Sequence, residues 1–85
     1  MNVIETKDFN TQLLKLPKHA QGFARLQLHR FRANRNDPRL HIKKLVDMDG
    51  VHSFRITRAY RALYYFDSNK DVILFTIGHR KNIYS

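Results

Sequence analysis

An 85-residue chain is long enough for one small domain and too short for a second hydrophobic core. Its 16 Lys and Arg residues outnumber 7 Asp and Glu residues, and the formal charge of +9 favours a nucleic-acid or acidic protein partner. A hydrophobic fraction of 42% is too high for a disordered basic tail, and the absence of cysteine excludes disulfides and thiol catalysis. No apolar run reaches signal-peptide or membrane-spanning length, so we expect a cytoplasmic protein with no membrane partner.

The first part of the chain predicts a short strand followed by two helices. Residues 2–5 form the strand, and Thr6 is the N-cap of a first helix that ends near Leu16. Pro17 disfavours helical geometry in the residue before it and suits the first turn of a new helix. One stripe of this second helix is predicted to face the core: Ala20, Phe23, Ala24, Gln27, Leu28 and Phe31. Turn-forming residues at 34–38 then close the helix hairpin.

The remainder of the chain predicts strands separated by polar turns. Residues 41–46 form an exposed strand, a turn covers residues 47–50, and Val51 starts the third strand. Within residues 54–57, alternation places Phe54 and Ile56 on one face. The same alternation over residues 60–66 places Arg61, Leu63 and Tyr65 on one side of the next strand.

A polar turn over residues 67–71 predicts that the last two strands are antiparallel neighbours. Residues 72–77 are apolar on both faces, which predicts a central strand covered on both sides, and Gly78 is expected to end it. The element order indicates a single α+β domain over residues 1–85. In it, a helical hairpin packs on one face of a mainly antiparallel sheet of four to five strands, and the other face is free.

Two segments and their spacing carry a resemblance to a known family. The segment FRITRAYRALYY (54–65), a hairpin, and the segment IGHRKNIY (77–84) resemble the RelE branch of the RelE/ParE toxin superfamily. The turn NDPRL (36–40) is similar to the usual helix exit of that family, and the predicted element order agrees with its fold. The resemblance therefore spans nearly the whole chain.

The resemblance implies the toxin of a type II toxin-antitoxin system. RelE-like members are metal-independent, cofactor-free endoribonucleases that enter the ribosomal A site. There they cut mRNA with the substrate's own 2′-hydroxyl as nucleophile, which inhibits translation. The implied partners are a cognate acidic antitoxin, the ribosome and mRNA, with operator DNA bound only through the antitoxin. Two alternatives stay open: a ParE-like inhibitor of DNA gyrase and an inactive basic binding module of the same fold.

The resemblance also implies roles for individual residues. Arg61 would brace the scissile phosphate, Arg80 would stabilise the transition state or protonate the leaving group, and Tyr84 would stack on a base. Arg55 lies where the family often has a basic residue that helps to activate the 2′-hydroxyl.

The general base is open, because relatives carry lysines where this chain has Arg55 and Thr57. Histidine titrates near neutral pH, so His79 is the first candidate, with His52 as a second. We expect RNA phosphates to be bound by Arg58, Lys81, Lys43 and Lys44. Five histidines without cysteine predict no metal site. A purely structural alternative pairs Arg61 with Asp67 or Asp71 of its own hairpin.

Overall fold

The secondary structure follows the predicted order of one strand, a helix hairpin and four further strands. The computed structural model describes residues 1–84. Its elements are β1 (Val3–Glu5), α1 (Lys7–Leu14), α2 (Lys18–Ala33), a 3-10 turn (Pro38–Leu40), β2 (Lys43–Lys44), β3 (Val51–Arg55), β4 (Tyr60–Phe66), β5 (Val72–His79) and α3 (Arg80–Ile83). No helix within residues 1–84 has the length and apolar character needed to cross a membrane.

The strands form one five-stranded sheet in the order β1-β5-β4-β3-β2. The pairs β2–β3, β3–β4 and β4–β5 are antiparallel, whereas β1 lies parallel to β5 at the edge. The predicted α+β class and the predicted antiparallel pairing of the last two strands are therefore confirmed. The parallel edge strand follows from the chain path, because the helix hairpin lies between β1 and the rest of the sheet.

Local sequence signals explain both ends of the helix hairpin. The Thr6 hydroxyl accepts a hydrogen bond from the Phe9 amide at 3.1 Å, which confirms the predicted N-cap. Helix α1 ends at Leu14, two residues before the predicted end. The carbonyls of Leu14 and Leu16 accept hydrogen bonds from the buried Gln21 side chain at 3.1 and 2.8 Å. Gln21 thus satisfies backbone groups that the end of a helix leaves unpaired.

One hydrophobic core lies between the helix hairpin and the sheet. Phe31 of α2 stacks on Phe54 of β3 with ring centroids 4.8 Å apart and meets Tyr64 of β4 edge-on at 5.0 Å. The buried members of this core are Phe9, Leu13, Leu16, Ala20, Ala24, Leu28, Phe31, Leu40, Phe54, Ile56, Ala62, Tyr64, Val72, Leu74 and Ile77. The predicted stripe of α2 was wrong at Phe23, which is 50% exposed. Position 23 lies about 100° around the helix from the centre of the buried stripe.

Three strand boundaries also differ from the predictions. Only Lys43–Lys44 of the predicted strand over residues 41–46 pairs with β3. Strand β3 ends at Arg55, so Ile56 begins the turn to β4. Strand β5 continues through Gly78 to His79, and only one of its faces is fully buried, because Ile73 and Phe75 are partly exposed.

Gly78 therefore serves to leave space and does not end the strand. A Cβ atom at this position would lie 2.9 Å from Cγ2 of Ile83. The missing side chain lets α3 fold back against β5, on the sheet face opposite the helix hairpin. The face that we predicted to be free is therefore covered in part by the C-terminal helix.

Candidate active site

Arginines lie side by side on the sheet face opposite the helix hairpin. Arg55 of β3 is directly paired with Arg61 of β4, and Arg61 is paired with Gly78 of β5. Paired residues in neighbouring strands project to the same face, whereas successive residues in a strand project to opposite faces. The neighbours Phe54 and Ala62 are buried in the core, so the two arginines project away from it.

The turn between β3 and β4 holds the Arg61 guanidinium in place. The turn itself is closed by the Ile56 amide, which donates to the Tyr60 carbonyl at 2.9 Å. Arg61 Nη1 donates to the carbonyl oxygen of Thr57 at 2.7 Å, with longer bonds to those of Arg58 at 3.3 Å and Tyr60 at 3.4 Å. A guanidinium has five N–H donors, so this anchoring through one nitrogen leaves donors for a ligand.

Helix α3 is attached to the same turn. The Arg80 amide donates a hydrogen bond to the Ala59 carbonyl at 2.8 Å, at the point where β5 passes into α3. This bond places the first residue of α3 next to the turn that anchors Arg61. Tyr84, which caps the end of α3, lies near enough to Arg61 to favour the charged form of that guanidinium and raise its pKa. The structure thus brings together four of the predicted site residues: Arg55, Arg61, Arg80 and Tyr84.

The electrostatics of this cluster disfavour the charged form of Arg61. Burial lowers the pKa of the Arg61 guanidinium below its ordinary value, and the neighbouring charges of Arg55 and Arg80 lower this pKa further. A charge interaction and a hydrogen bond with Tyr84 act in the opposite direction. No carboxylate within residues 1–84 contributes to the shift, although one acidic partner would relieve the repulsion between these guanidinium groups.

The structural alternative for Arg61 does not hold. Within residues 1–84, the ion pairs are Arg32–Glu5 and Arg39–Asp37, both away from Arg61. Asp67 lies beyond the far end of β4, about 20 Å from Arg61 along an extended strand. Its carboxylate accepts hydrogen bonds from the amides of Asn69 and Asp71, and the Asp71 carboxylate accepts one from the Asn2 amide.

Arg55 has an unmet hydrogen-bonding requirement. Its Nε is buried and has no hydrogen-bond partner within residues 1–84. The backbone beside it is held firmly, since the buried Gln27 side chain donates to the Arg55 carbonyl at 2.7 Å and to the Arg39 carbonyl at 2.9 Å. A buried donor on a fixed strand is costly unless a ligand or water satisfies it.

The two histidines that we considered as general bases project to the other face. His79 is paired with Tyr60, meets its ring edge-on at 5.4 Å, and its Nδ1 accepts a hydrogen bond from the Lys81 amide at 3.1 Å. His52 stacks on Tyr64 at 5.3 Å, and its buried Nδ1 has no hydrogen-bond partner in the described chain. The structure therefore does not bring His79 or His52 together with Arg55 and Arg61.

The four residues predicted to bind phosphates are all exposed. Arg58 lies in the turn that anchors Arg61, and Lys81 lies in α3. Lys43 is paired with Ser53 and so shares the face of Arg55, whereas Lys44 is paired with His52 and projects to the opposite face. No group of three His, Cys, Asp or Glu side chains that could hold a metal ion occurs in residues 1–84.

Sequence reasoning missed two features that shape the site. It did not identify Thr57, whose hydroxyl accepts from the amides of Ala59 and Tyr60 at 3.2 and 3.3 Å and so builds the anchoring turn. The sequence signal was present, because threonine two or three residues before such amides favours this type of turn. It also missed the burial of Leu63 and Ser53 on the arginine face, which lie outside the main core.

Comparison with solved structures places this arrangement in a known fold. The chain is similar to the RelE–RelB toxin-antitoxin complex from Methanococcus jannaschii, with 23% identity and a TM-score of 0.76 over 96% of this chain and 95% of that chain. It is also similar to the RelBE2 toxin-antitoxin complex from Mycobacterium tuberculosis, with 27% identity and a TM-score of 0.64 over 93% and 96% of the two chains. The chain has the RelE-like toxin fold.

The RelE-like fold extends over nearly all of the described chain. YafQ from Escherichia coli, at only 11% identity, matches with a TM-score of 0.74 over 99% of this chain and 98% of that chain. The sequence itself matches no protein-family model and no curated protein. The resemblance seen in the sequence is confirmed by these structures, which include toxins of toxin-antitoxin complexes.

Proposed function

We propose that this protein is the toxin of a type II toxin-antitoxin system and a ribosome-dependent mRNA endonuclease. One observation carries the proposal: Arg55, Arg61, Arg80 and Tyr84 meet on one sheet face, and no carboxylate of residues 1–84 lies in the cluster. Like charges directly opposite each other weaken a sheet, so this arrangement is explained by an anionic ligand better than by stability. Phosphodiester is the anion that fits arginine forks beside an aromatic ring.

The reaction that suits this cluster is cleavage of RNA by its own 2′-hydroxyl. The 2′-oxygen attacks the adjacent phosphorus, the bond from phosphorus to the 5′-oxygen breaks, and a 2′,3′-cyclic phosphate and a 5′-hydroxyl result. The transition state gathers negative charge on the non-bridging oxygens. A donor fixed towards such charge in a water-poor site contributes about 3–4 kcal/mol, so a few arginines supply a large part of the acceleration.

Each arginine has a position that fits a separate task. Arg61 is anchored through Nη1, so we assign Nη2 and Nε to the non-bridging oxygens of the scissile phosphate. Arg80 is exposed at the start of α3 and can follow the leaving 5′-oxygen, to which it donates a hydrogen bond. Tyr84 is 47% exposed and presents its ring for stacking on a base.

For the proton of the 2′-hydroxyl, the placement favours Arg55 over either histidine as the residue that assists its removal. Arg55 lies beside Arg61, and the terminal nitrogens of its half-buried side chain are donors that can stabilise the developing 2′-oxyanion. Arginine stays protonated near neutral pH, so the proton of the 2′-hydroxyl passes to water, and water returns one proton to the leaving 5′-oxygen to give the 5′-hydroxyl. His79 and His52 then serve structural roles, in the cap of α3 and in the aromatic contact with Tyr64.

The proposed partners follow from charge. A protein of formal charge +9 binds ribosomal RNA and mRNA phosphates readily and is neutralised by an acidic antitoxin. Operator DNA would be bound only through that antitoxin. The proposal places the protein in the cytoplasm, where it meets translating ribosomes.

The test is primer extension on a reporter mRNA after a short induction of the protein, with growth followed in parallel. Cuts within translated codons that disappear in Arg61→Ala and Arg80→Ala support the proposal. Arg25→Ala is the matched control, since Arg25 is an exposed arginine on α2, away from the cluster. Growth arrest with intact mRNA would move the target to DNA gyrase, and neither arrest nor cutting would leave an inactive binding module.

A further inference from the structure

A second feature of the arginine face is a cavity next to the cluster. The cavity has a volume of about 380 Å³, within the range of small-ligand pockets in proteins. It lies between α3 and the segment that joins β2 to β3. Its lining residues are Lys43, Lys44, Leu45, Val46, Asp47, Met48 and Tyr84.

The cavity has the composition of a site for a flat, partly polar ring. Its lining residues include the apolar Leu45, Val46 and Met48, the aromatic Tyr84 and, as the one acidic residue among them, Asp47. Val46 is 97% exposed, so an apolar wall of the cavity stands open to water. Stacking of a nucleobase between such groups contributes about 1–3 kcal/mol per base.

The segment that forms the cavity is ordered by its own hydrogen bonds. The Leu45 amide donates to the Val51 carbonyl at 2.9 Å, and the Val51 amide donates to the Met48 carbonyl at 3.0 Å. Gly50 adopts a positive φ of 77°, which closes the turn without the strain that another residue would suffer. The wall that carries Asp47 is thus a formed turn, so the cavity is largely built before a ligand enters.

Tyr84 connects the cavity to the proposed reaction centre. Tyr84 lines the cavity, and α3, which Tyr84 caps, is hydrogen-bonded through its first residue to the turn that anchors Arg61. A nucleotide whose phosphate lies against Arg61 therefore has its neighbouring base within reach of the cavity. Lys43 projects to the same sheet face as Arg55, which provides a cation for the next phosphate of the strand.

Asp47 is available to read that base. It forms no ion pair within residues 1–84, although Lys43 lines the same cavity. A carboxylate only accepts hydrogen bonds, so it favours a base edge that carries an amino group. Adenine, cytosine and guanine have such an amino group, whereas uracil presents two carbonyl oxygens beside its single N–H.

We propose that this cavity is the specificity pocket for the nucleobase next to the scissile phosphate, and that Asp47 selects amino-bearing bases over uracil. The assignment rests on the proposed endonuclease function and extends it to the substrate. Its binding part can be tested without any cleavage, which separates a failure of the pocket from a failure of the activity.

The first experiment measures binding of cytidine and uridine 3′-monophosphates to the purified protein by titration in NMR. The two ligands carry the same phosphate and ribose, so their difference reports the base alone. We expect cytidine 3′-monophosphate to bind at least threefold tighter, and the two affinities to become equal in Asp47→Ala. Equal affinities in the unsubstituted protein, or a preference that survives in Asp47→Ala, would overturn the proposal.

The second experiment maps cut positions in a reporter mRNA for the unsubstituted protein, Asp47→Ala and the control Asp49→Ala. Asp49 is an exposed carboxylate of the same turn that does not line the cavity. Uracil should be depleted at one position next to the cuts and return several-fold in Asp47→Ala, with the control unchanged. An unchanged base distribution in Asp47→Ala would overturn the proposal. Absence of cutting together with a retained cytidine preference would instead refute only the endonuclease function.

Discussion

The two faces of the sheet are built from the same strands, but one face is apolar and packed whereas the other carries neighbouring like charges. On the face that contacts the helices, Phe54, Ala62 and Leu74 are fully buried and pack in one apolar core. On the opposite face, Arg55 and Arg61 stand directly across from each other, with no acidic partner among residues 1–84. One residue step along β3 separates a side chain that stabilises the fold from one that works against it.

A further comparison within the molecule is between Arg61 and Arg39, an arginine that has a carboxylate partner. Arg39 makes two side-chain hydrogen bonds to the Asp37 carboxylate, from Nε at 3.0 Å and from Nη2 at 2.7 Å. That interaction lowers the pKa of Asp37 to about 2 and raises the pKa of Arg39. Arg61 has the opposite shift, because burial and neighbouring cations disfavour its charged form. Arrangements of this kind concentrate at functional sites.

The largest expected effect comes from a substitution in the apolar core, on the sheet face that the helices cover. Phe54→Ala removes a fully buried ring that stacks on Phe31, and we expect it to lower the free energy of unfolding by about 3–5 kcal/mol. Urea denaturation followed by circular dichroism measures this change. A loss below about 1 kcal/mol would show that the core does not depend on this contact.

Replacement of Arg61, on the sheet face opposite the helix hairpin, should reduce activity while leaving the fold intact. We expect Arg61→Lys to reduce mRNA cleavage about 100-fold or more, since lysine keeps the charge but loses the fork that donates to two phosphate oxygens. Cleavage of a reporter in a reconstituted translation reaction measures the rate. Activity within threefold of the unsubstituted protein would refute a role that depends on the guanidinium shape.

Gly78→Ala tests the packing of α3 over the arginine face. The added methyl group would meet Ile83 at 2.9 Å, and Ile83 is stiff at its β-carbon, so α3 must shift and carry Tyr84 away from Arg61. We expect cleavage to fall about tenfold with little loss of stability. Gly22→Ala is the control, because no atom lies within 4 Å of its added methyl group; it should stabilise α2 by about 0.5–1 kcal/mol.

Arg55→Met tests whether Arg55 lowers the stability of the fold, in contrast to its buried neighbour Phe54. The substitution removes the repulsion with Arg61 and the buried Nε that lacks a partner, so we expect stabilisation by about 0.5–1 kcal/mol together with weaker cleavage. Thermal unfolding measures the expected gain in stability, and a cleavage assay on the same preparation measures the expected loss of activity. A destabilised variant would show that Arg55 contributes to the fold.

The smallest effect concerns the satisfied pair Asp37–Arg39. The folded pKa of Asp37 is depressed to about 2, so its contribution to stability is present above the ordinary carboxyl pKa of 3.8 and is lost as the pH falls towards 2. Asp37→Asn should therefore weaken the fold slightly at pH 7 and reduce the loss of stability between pH 4 and pH 2. Parallel acid titrations of the two proteins measure the difference.

Most of the fold and part of the site could be predicted from local patterns. Alternation in β3 and β4 placed the arginines and the core residues on opposite faces, because side-chain direction in a strand depends only on the residue's position. The N-cap at Thr6 and the break at Pro17 are likewise properties of short segments. Phe23 shows the limit, since its apolar side chain fitted a stripe whose centre only the packing of α2 defines.

The sequence by itself determined the element order, the two faces of β3 and β4 and the excess of cations, since these depend on neighbours in the chain. Tertiary structure decided the rest: the register that pairs Arg61 with both Arg55 and Gly78, the return of α3 over Gly78, and the placement of Tyr84 between Arg61 and the cavity. It also decided that His79 projects away from the arginines. The reason is physical: pairing between strands and the packing of a terminal helix depend on contacts between residues far apart in the chain, which no local pattern encodes.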